Sequence, residues 1–163
     1  MDAVSQYKQA LGNYPTGVTV VTANDQQGNP VGMTVNSFAS VSIDPLLILW
    51  SIDKKAYHFD AFTQAKSFNV NILAADQSDV CMLFASRVED RFGKCEWQNG
   101  SNGVPVLKDV ASQLECNVYN TVDAGDHVIL IGEVTSIVNE EKEPLLYHKR
   151  LFGKIPEAFY QQS

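Results

Sequence analysis

The chain has 163 residues, of which 45% are apolar and 19% charged, and its formal net charge is −7. One domain over residues 1–163 is expected at this length, and the apolar content excludes an intrinsically disordered chain. The acidic balance argues against a general nucleic-acid binder, although a local cradle of backbone N–H groups can still hold a phosphate.

The hydrophobic pattern predicts strands interrupted by two or three helices. A helix is predicted over residues 4–11, ending at Gly12-Asn13, and the β-branched residues 18–22 predict the first strand. There follow a polar turn over 24–30, a strand over 31–42, a turn over 43–45, a strand over 46–50, a helix over 54–65, a strand over 67–73 and a helix over 75–86. The remaining predictions are an irregular segment over 89–102, short extended pieces at 104–107 and 145–147, and strands over 112–122 and 127–138.

This order of elements favours an antiparallel barrel with inserted helices over a doubly wound parallel sheet. Hairpin-like connections outnumber long helical crossovers, and about six strands are predicted. Residues 46–50 and 128–131 are apolar on both faces of their strands. Such strands are typical either of barrel closure or of a dimer interface, and the pattern leaves both open.

Apolar runs are short, and the longest aliphatic and aromatic stretch, Leu46 to Trp50, is far below the roughly 20 residues of a spanning helix. Residues 1–10 lack the basic end and apolar run of a secretory signal. The cysteines Cys81, Cys95 and Cys116 form no C-x-x-C pair and have no histidine close in sequence. We therefore expect a cytoplasmic protein with reduced thiols, no membrane segment and no metal site.

The most informative segment is a polar run inside the predicted strand over 31–42, which contains Thr34, Asn36, Ser37 and Ser40. A buried polar group without a hydrogen bond costs about 1–3 kcal/mol, so a row of them in a barrel strand needs a partner. A planar heterocycle with several donors and acceptors is one such partner. Alternation of these residues onto a solvent face is an equally good interpretation.

Two weaker features concern charge. Asp126-His127 follows Gly125 at the mouth of a strand, where a histidine either holds a carboxamide or phosphate or only caps the turn. Lys54-Lys55 stands at a predicted helix start, where cations oppose the helix dipole. That pair indicates either an anion or a solvated surface.

Several segments together resemble a known family. They are Tyr14 to Thr22, Gly32 to Ser42, Asp44 to Leu46, Asn69 to Leu73, Gly125 to His127, Gly132 to Val134 and Pro144 to Tyr147, in this order and spacing. This set is similar to the flavin reductase family, the small NAD(P)H:flavin oxidoreductase components of two-component flavin monooxygenases, from about Tyr7 to Phe152. The resemblance implies a mainly β fold, a six-stranded antiparallel split β-barrel of Greek-key type with inserted helices, and a homodimer.

The resemblance also implies site residues. The flavin would be bound by Thr34, Val35, Asn36, Ser37, Phe38, Ser40, Val41, Ser51, Lys55, Ala56, Tyr57, His58, Phe84 and Ala85, and the nicotinamide nucleotide by Ala39, His127 and Phe152. Ala56 stands where relatives often carry a hydroxyl, so His58 or Lys55 is expected to replace that phosphate contact. The resemblance also implies that the segment ending at Phe152 closes over the nicotinamide nucleotide. Residues 148–152 lack the glycine that many relatives have near Arg150.

The implied activity is hydride transfer from nicotinamide C4 of NADH or NADPH to N5 of FMN or FAD. Orientation by the protein suffices for this step, so no catalytic side chain is predicted. Reduced flavin would serve a separate oxygenase. Two alternatives stay open: a flavin-binding electron carrier of the same fold that a protein partner reduces, and a barrel that has lost the chemistry.

Overall fold

The computed structural model describes residues 1–161, and this part of the chain is mainly β, as predicted. Its α-helices are α1 (Ala3–Gly12), α2 (Phe59–Gln64) and α3 (Ser78–Ala85), and 3-10 helices cover Arg91–Lys94 and Glu157–Tyr160. Its strands are β1 (Thr16–Gly17), β2 (Thr19–Asn24), β3 (Pro30–Val35), β4 (Ala39–Ser42), β5 (Leu47–Asp53), β6 (Ser67–Ile72), β7 (Trp97–Asn99), β8 (Pro105–Leu107), β9 (Ser112–Ala124), β10 (His127–Asn139), β11 (Leu145–His148) and β12 (Leu151–Lys154). No helix within residues 1–161 is both long and apolar enough to cross a membrane.

The main sheet has the strand order β3-β2-β6-β9-β10-β5-β4, and all its neighbouring strands are antiparallel. Its seven strands, counted within residues 1–161, are one more than the six predicted. β9 and β10 form a long hairpin of 13 residues on each side, with bulges that interrupt the register. A smaller sheet, β1-β11-β12, brings the C-terminal strands beside the start of β2.

The additional strand arises because the predicted strand over 31–42 is divided into β3 and β4, which form the two edges of the main sheet. Residues 36–38 connect these edges, so the two ends of the sheet must approach each other here. Ser37 holds this connection against β5, because its hydroxyl accepts a hydrogen bond from the Ser51 N–H (3.0 Å) and donates one to the Ser51 carbonyl (3.3 Å). Closure into a Greek-key split barrel remains a prediction, since β3 and β4 are edges in the hydrogen-bonded order.

Two apolar clusters hold α2 and α3 on the sheets. In one, Trp50 of β5 contacts Phe62 of α2 and Phe68 of β6 edge to face, with ring centroids 5.1 and 5.9 Å apart. All three side chains are fully buried, and burial of each phenylalanine stabilises the fold by roughly 1.5–3 kcal/mol. The other cluster contains Phe84 of α3 together with Val20 of β2, Leu107 of β8 and Leu145 of β11. These contacts fix the positions of α2 and α3.

The predicted helix over 54–65 is wrong in its first half, because α2 begins only at Phe59. The Asp53 carboxylate accepts a hydrogen bond from the Lys55 N–H (2.8 Å), and the Ala56 N–H donates to the Asp53 carbonyl (2.9 Å). An aspartate that bonds the backbone two residues on favours a turn over a helix. As a result the side chain of Tyr57, which lies in this turn, is 82% exposed.

Other boundaries also differ from the predictions. α3 begins at Ser78 instead of residue 75, since the Gln77 side chain accepts a hydrogen bond from the Ala74 N–H (2.9 Å) and organises a turn there. The segment 89–102, predicted as irregular, contains a 3-10 helix and β7. Strand β12 is exposed throughout, so it carries no apolar alternation that could have predicted it.

Candidate functional site

The main cavity has a volume of about 690 Å³ and lies between the turn before α2, the end of α3 and the segment that follows α3. Six of the predicted flavin-binding residues line it: Lys55, Ala56, Tyr57, His58, Phe84 and Ala85. The structure thus brings together two chain segments that are about 30 residues apart in sequence. A cavity of this size accommodates a cofactor-sized ligand.

The charges that line this cavity include three strong cations, Lys55, Arg87 and Arg91. None of them takes part in the salt bridges found among the described residues, although Glu89 and Asp90 line the same cavity. Cations without carboxylate partners are notable in a chain with a net charge of −7. They make this cavity suited to an anion such as a phosphate.

His58 and Arg91 contact each other directly across the cavity. The Arg91 Nη2 donates a hydrogen bond to His58 Nε2 at 2.6 Å, since a guanidinium has no acceptor atom. Burial, followed by the positive charge of Arg91, lowers the pKa of His58 below its ordinary value, while Asp25 acts in the opposite direction. Burial also lowers the pKa of Arg91, which nevertheless stays charged. His58 is therefore the neutral partner of this pair.

An aromatic row supports the wall of the cavity that α3 contributes. Phe84 contacts Phe92 edge to face at 5.1 Å between ring centroids, and Phe92 contacts Trp97 in the same way at 5.4 Å. The Arg91 guanidinium lies 5.5 Å from the centre of the Phe84 ring. Gly32 of β3 leaves room for this row, because a Cβ there would stand 2.9 Å from two Phe84 ring atoms.

A second cavity, of about 240 Å³, adjoins the first at Ala85, which lines both. It is lined by Val18, Thr34, Val35, Asn36, Cys81, Met82, Ala85, Tyr147 and Phe152. The Thr34 hydroxyl donates a hydrogen bond to the Cys81 carbonyl of α3 at 2.7 Å. The centroids of the Tyr147 and Phe152 rings lie 5.6 Å apart, and the two rings form an aromatic wall. This chamber suits a planar ring better than a charged group.

A third cavity of about 310 Å³ continues from the second, because Val18 and Asn36 line both. The rest of its lining consists of residues 14–17, Thr19, Phe38 and Ile72. Asn36 is exposed, so its amide is available to a ligand in either chamber. Of the predicted polar run, Asn36 is thus the member placed to offer a free side-chain amide.

Other predicted residues do not reach these three cavities. The Ser37 hydroxyl is hydrogen-bonded to the Ser51 backbone. Ala39, Ser40 and Val41 lie exposed on the edge strand β4. His127 lies at the β9–β10 turn, where its Nδ1 is 2.8 Å from the Asp126 carboxylate. That hydrogen bond lowers the pKa of Asp126 and agrees with the turn-capping interpretation of His127.

Two lining residues that sequence reasoning missed are Arg87 and Arg91. They fall in or beside the segment predicted as irregular, and no motif marked them. The available signal was composition: two of the chain's three arginines stand four residues apart directly after α3. Arginine is the side chain best suited to phosphate recognition, so this pair could have been selected as an anion site.

Thiols and metal-ligand groups give no second site. Cys81 and Cys116 are buried and Cys95 is partly buried, and none of the three forms a disulfide within residues 1–161. Burial, with a contribution from Glu115, raises the pKa of Cys116 to about 12, so this thiol is not a nucleophile. Within residues 1–161 no group of three or more His, Cys, Asp or Glu side chains is arranged to hold a metal ion.

A cationic chamber joined to an aromatic one is the arrangement expected of a site for a phosphate-bearing aromatic cofactor. A family model described as "Flavin reductase like domain" matches residues 11–156. The chain therefore belongs to the flavin reductase family, and the resemblance predicted from the sequence is confirmed.

Individual relatives agree with this assignment. The chain is 43% identical to FMN reductase (NADH) SmoA of Agrobacterium fabrum, an alignment that covers 91% of this chain and 84% of that protein. It is 42% identical to the reductase component of the flavin-dependent trigonelline monooxygenase of Acinetobacter baylyi, over 91% of this chain and 49% of that one. A solved structure of Streptomyces globisporus C-1027 NADH:FAD oxidoreductase SgcE6, in complex with NAD and FAD fragments, superposes with a TM-score of 0.89 at 33% identity, covering 94% of this chain and 93% of that chain.

The matched lengths differ among relatives. The chain spans about half the length of three of the curated relatives it matches, 50%, 56% and 49% respectively. Those proteins contain sequence that has no counterpart in the alignment.

Proposed function

We propose that this chain is an NAD(P)H:flavin oxidoreductase. The observation that carries the proposal is the pair of cavities that meet at Ala85. One is lined by Lys55, Arg87 and Arg91, which take no part in the salt bridges of residues 1–161, and the other by Thr34 and the aromatic rings of Tyr147 and Phe152. A flavin nucleotide has the same two parts, a phosphate end and a planar ring system. Family membership over residues 11–156 supports this ligand over other nucleotides.

Within the proposed site, Lys55 and Arg87 would hold phosphate oxygens through charge-assisted hydrogen bonds. The Thr34 hydroxyl donates its hydrogen bond to the Cys81 carbonyl, so only its lone pairs are available to a ligand. It would therefore accept a hydrogen bond from an N–H group at the edge of the flavin ring. The other proposed flavin contacts remain those implied by the family: Val35, Asn36, Ser37, Phe38, Ser40, Val41, Ser51, Ala56, Tyr57, His58, Phe84 and Ala85.

FMN or FAD, when bound, supplies the redox chemistry by accepting at N5 the hydride that NADH or NADPH carries at C4. The protein's part is to stack and orient the two rings and to exclude water. Phe152 lines the second cavity and is the proposed nicotinamide contact nearest to the ring chamber. Ala39 and His127 complete the proposed set, although they lie outside the cavities of the single chain.

We further propose that two copies of the chain form a homodimer. Ala39 lies on β4, an edge strand, and the neighbouring Val41, Ile43 and Leu46 are exposed by 46%, 87% and 44%. Exposed apolar side chains beside an open strand edge favour association with another surface. A second copy would cover this edge and could complete the nicotinamide contacts. Light scattering coupled to gel filtration tests this directly, and a monomer would contradict it.

The activity is tested by mixing the purified protein with NADH or NADPH and with FMN or FAD, and following the absorbance of the reduced nicotinamide. We expect decay that requires both protein and flavin, and the four combinations rank its preferences. Bound flavin without decay would instead indicate the electron carrier of the same fold. If flavin does not bind and the absorbance does not decay, both functions are refuted.

The reduced flavin is proposed to serve a separate oxygenase. The relative from Acinetobacter baylyi is named as the reductase component of a monooxygenase, which supports such a partner. The proposal predicts that reduced flavin leaves the protein. Adding excess free flavin should therefore sustain many turnovers per protein, whereas a prosthetic flavin would not exchange.

A further inference from the structure

Arg91 connects the two walls of the main cavity. Its Nη1 donates to the carbonyl oxygens of Phe84 and Ser86, both at 3.3 Å, at the C-terminal end of α3. Its Nη2 donates to His58 Nε2 at 2.6 Å, directly before α2. One planar guanidinium therefore joins the α3 wall, which carries Phe84, to the opposite wall, which carries Lys55.

His58 can act as the acceptor only while it is neutral, because a protonated imidazole has no lone pair and repels a guanidinium. Among its surroundings, Arg91 disfavours the proton, Asp25 favours it, and the Tyr57 ring contacts the imidazole edge to face at 4.8 Å. The further charged groups that line the same cavity are Lys55, Arg87, Glu89 and Asp90. The Arg91 contact is the one that protonation of His58 removes.

We propose that Arg91 is a positioning residue of the flavin site: with neutral His58 as its acceptor, it fixes the spacing of the two walls that receive the phosphate end. Lys55 and Arg87 make the phosphate contacts, and Arg91 holds the segments that carry them. Protonation of His58 then releases the α3 wall and weakens flavin binding. This inference rests on the proposed function.

FAD is the appropriate probe, because a terminal phosphate such as that of FMN itself titrates near pH 6 and would mask the histidine. We expect FAD binding, followed by flavin fluorescence, to weaken about tenfold from about pH 7.5 to about pH 5.5 in the wild-type protein. His58→Gln supplies a carbonyl oxygen that accepts from Arg91 but does not titrate. In this variant the ratio of the two dissociation constants should approach one.

His148→Gln is the matched control, since His148 is exposed at the end of β11 and outside the cavities described. It removes an exposed histidine but should keep the wild-type ratio of dissociation constants. A ratio that falls in His148→Gln as much as in His58→Gln would contradict the assignment to His58. A wild-type protein that binds FAD more tightly at the lower pH would show that His58 acts as an added cation instead.

The role of Arg91 itself is tested by substituting it with lysine and with glutamine. A lysine keeps the charge but lacks the planar fork with which Arg91 spans His58 on one wall and the two carbonyls on the other, so Arg91→Lys should lose about as much FAD affinity as Arg91→Gln, roughly tenfold. Both variants should also lose the pH dependence. Recovery of wild-type affinity in Arg91→Lys would overturn the proposal, because charge alone would then suffice.

The two levels of the proposal fail in different ways. Failure of the wild-type protein to bind either FAD or FMN at about pH 7.5 would remove the proposed function itself. Tight binding at that pH, with the same affinity at about pH 5.5, would leave the function intact and refute only the positioning role of Arg91 and His58.

Discussion

Substitution of Gly32 by alanine tests how tightly α3 packs against β3 at the cavity wall. A Cβ at residue 32 would stand 2.9 Å from two ring atoms of Phe84 and 3.3 Å from Phe92. Phe84 is only 2% exposed, so its ring has little room to move. Overpacking of this kind costs about 1–3 kcal/mol, whereas alanine at an unhindered strand position gains roughly 0.5–1 kcal/mol over glycine. A loss of stability in Gly32→Ala would therefore indicate tight packing of α3 against β3, and a gain would indicate free space at this position.

We expect Gly32→Ala to lower the free energy of unfolding by about 2 kcal/mol in a urea titration, with a melting temperature about 4–8 °C lower. Gly12→Ala is the control, since nothing lies within 4 Å of a Cβ there, and it should be neutral or slightly stabilising. Adding Phe84→Leu should relieve the clash, so the double variant should lose less stability than the sum of the single losses. A Gly32→Ala protein at least as stable as the wild type would refute this packing.

Three further predictions concern charge and protonation. Lys55→Gln and Arg87→Gln should each weaken FMN binding about three- to tenfold but leave riboflavin, which lacks the phosphate, unaffected; equal losses for both ligands would contradict a phosphate role. The pKa of His58 is lowered from 6.5, so the unfolded chain takes up the proton first and native stability falls as the pH drops below 6.5. Urea titrations should show a smaller fall in His58→Gln. Because burial raises the pKa of Cys116 to about 12, iodoacetamide at about pH 8 should modify it only after unfolding, as mass spectrometry would show.

The polar run illustrates what sequence could and could not predict. Its composition correctly indicated that Thr34 and Ser37 need hydrogen-bond partners. The structure supplies those partners from within the protein, the Cys81 carbonyl 47 residues away and the Ser51 backbone 14 residues away. Side chains bound to distant backbone groups leave no local trace in the pattern.

The wall of the main cavity depends on features that the sequence did not predict. Local turn chemistry at Asp53 overrode the apolar spacing that predicted a helix from Lys54, and this exposed Tyr57. Arg87 and Arg91 reach the cavity only because α3 ends beside the turn before α2, a juxtaposition set by tertiary packing. Family resemblance, by contrast, depends on ordered motifs along the chain and was recoverable from sequence alone.

The most direct test of the central claim is anaerobic mixing of the flavin-loaded protein with NADH or NADPH while the absorbance of the oxidised flavin is followed. The cavities and the family assignment predict rapid bleaching of that absorbance, with a slower rate when the nicotinamide C4 hydrogen that is transferred is replaced by deuterium. Flavin that binds the protein and stays oxidised with both nucleotides would contradict the reductase function.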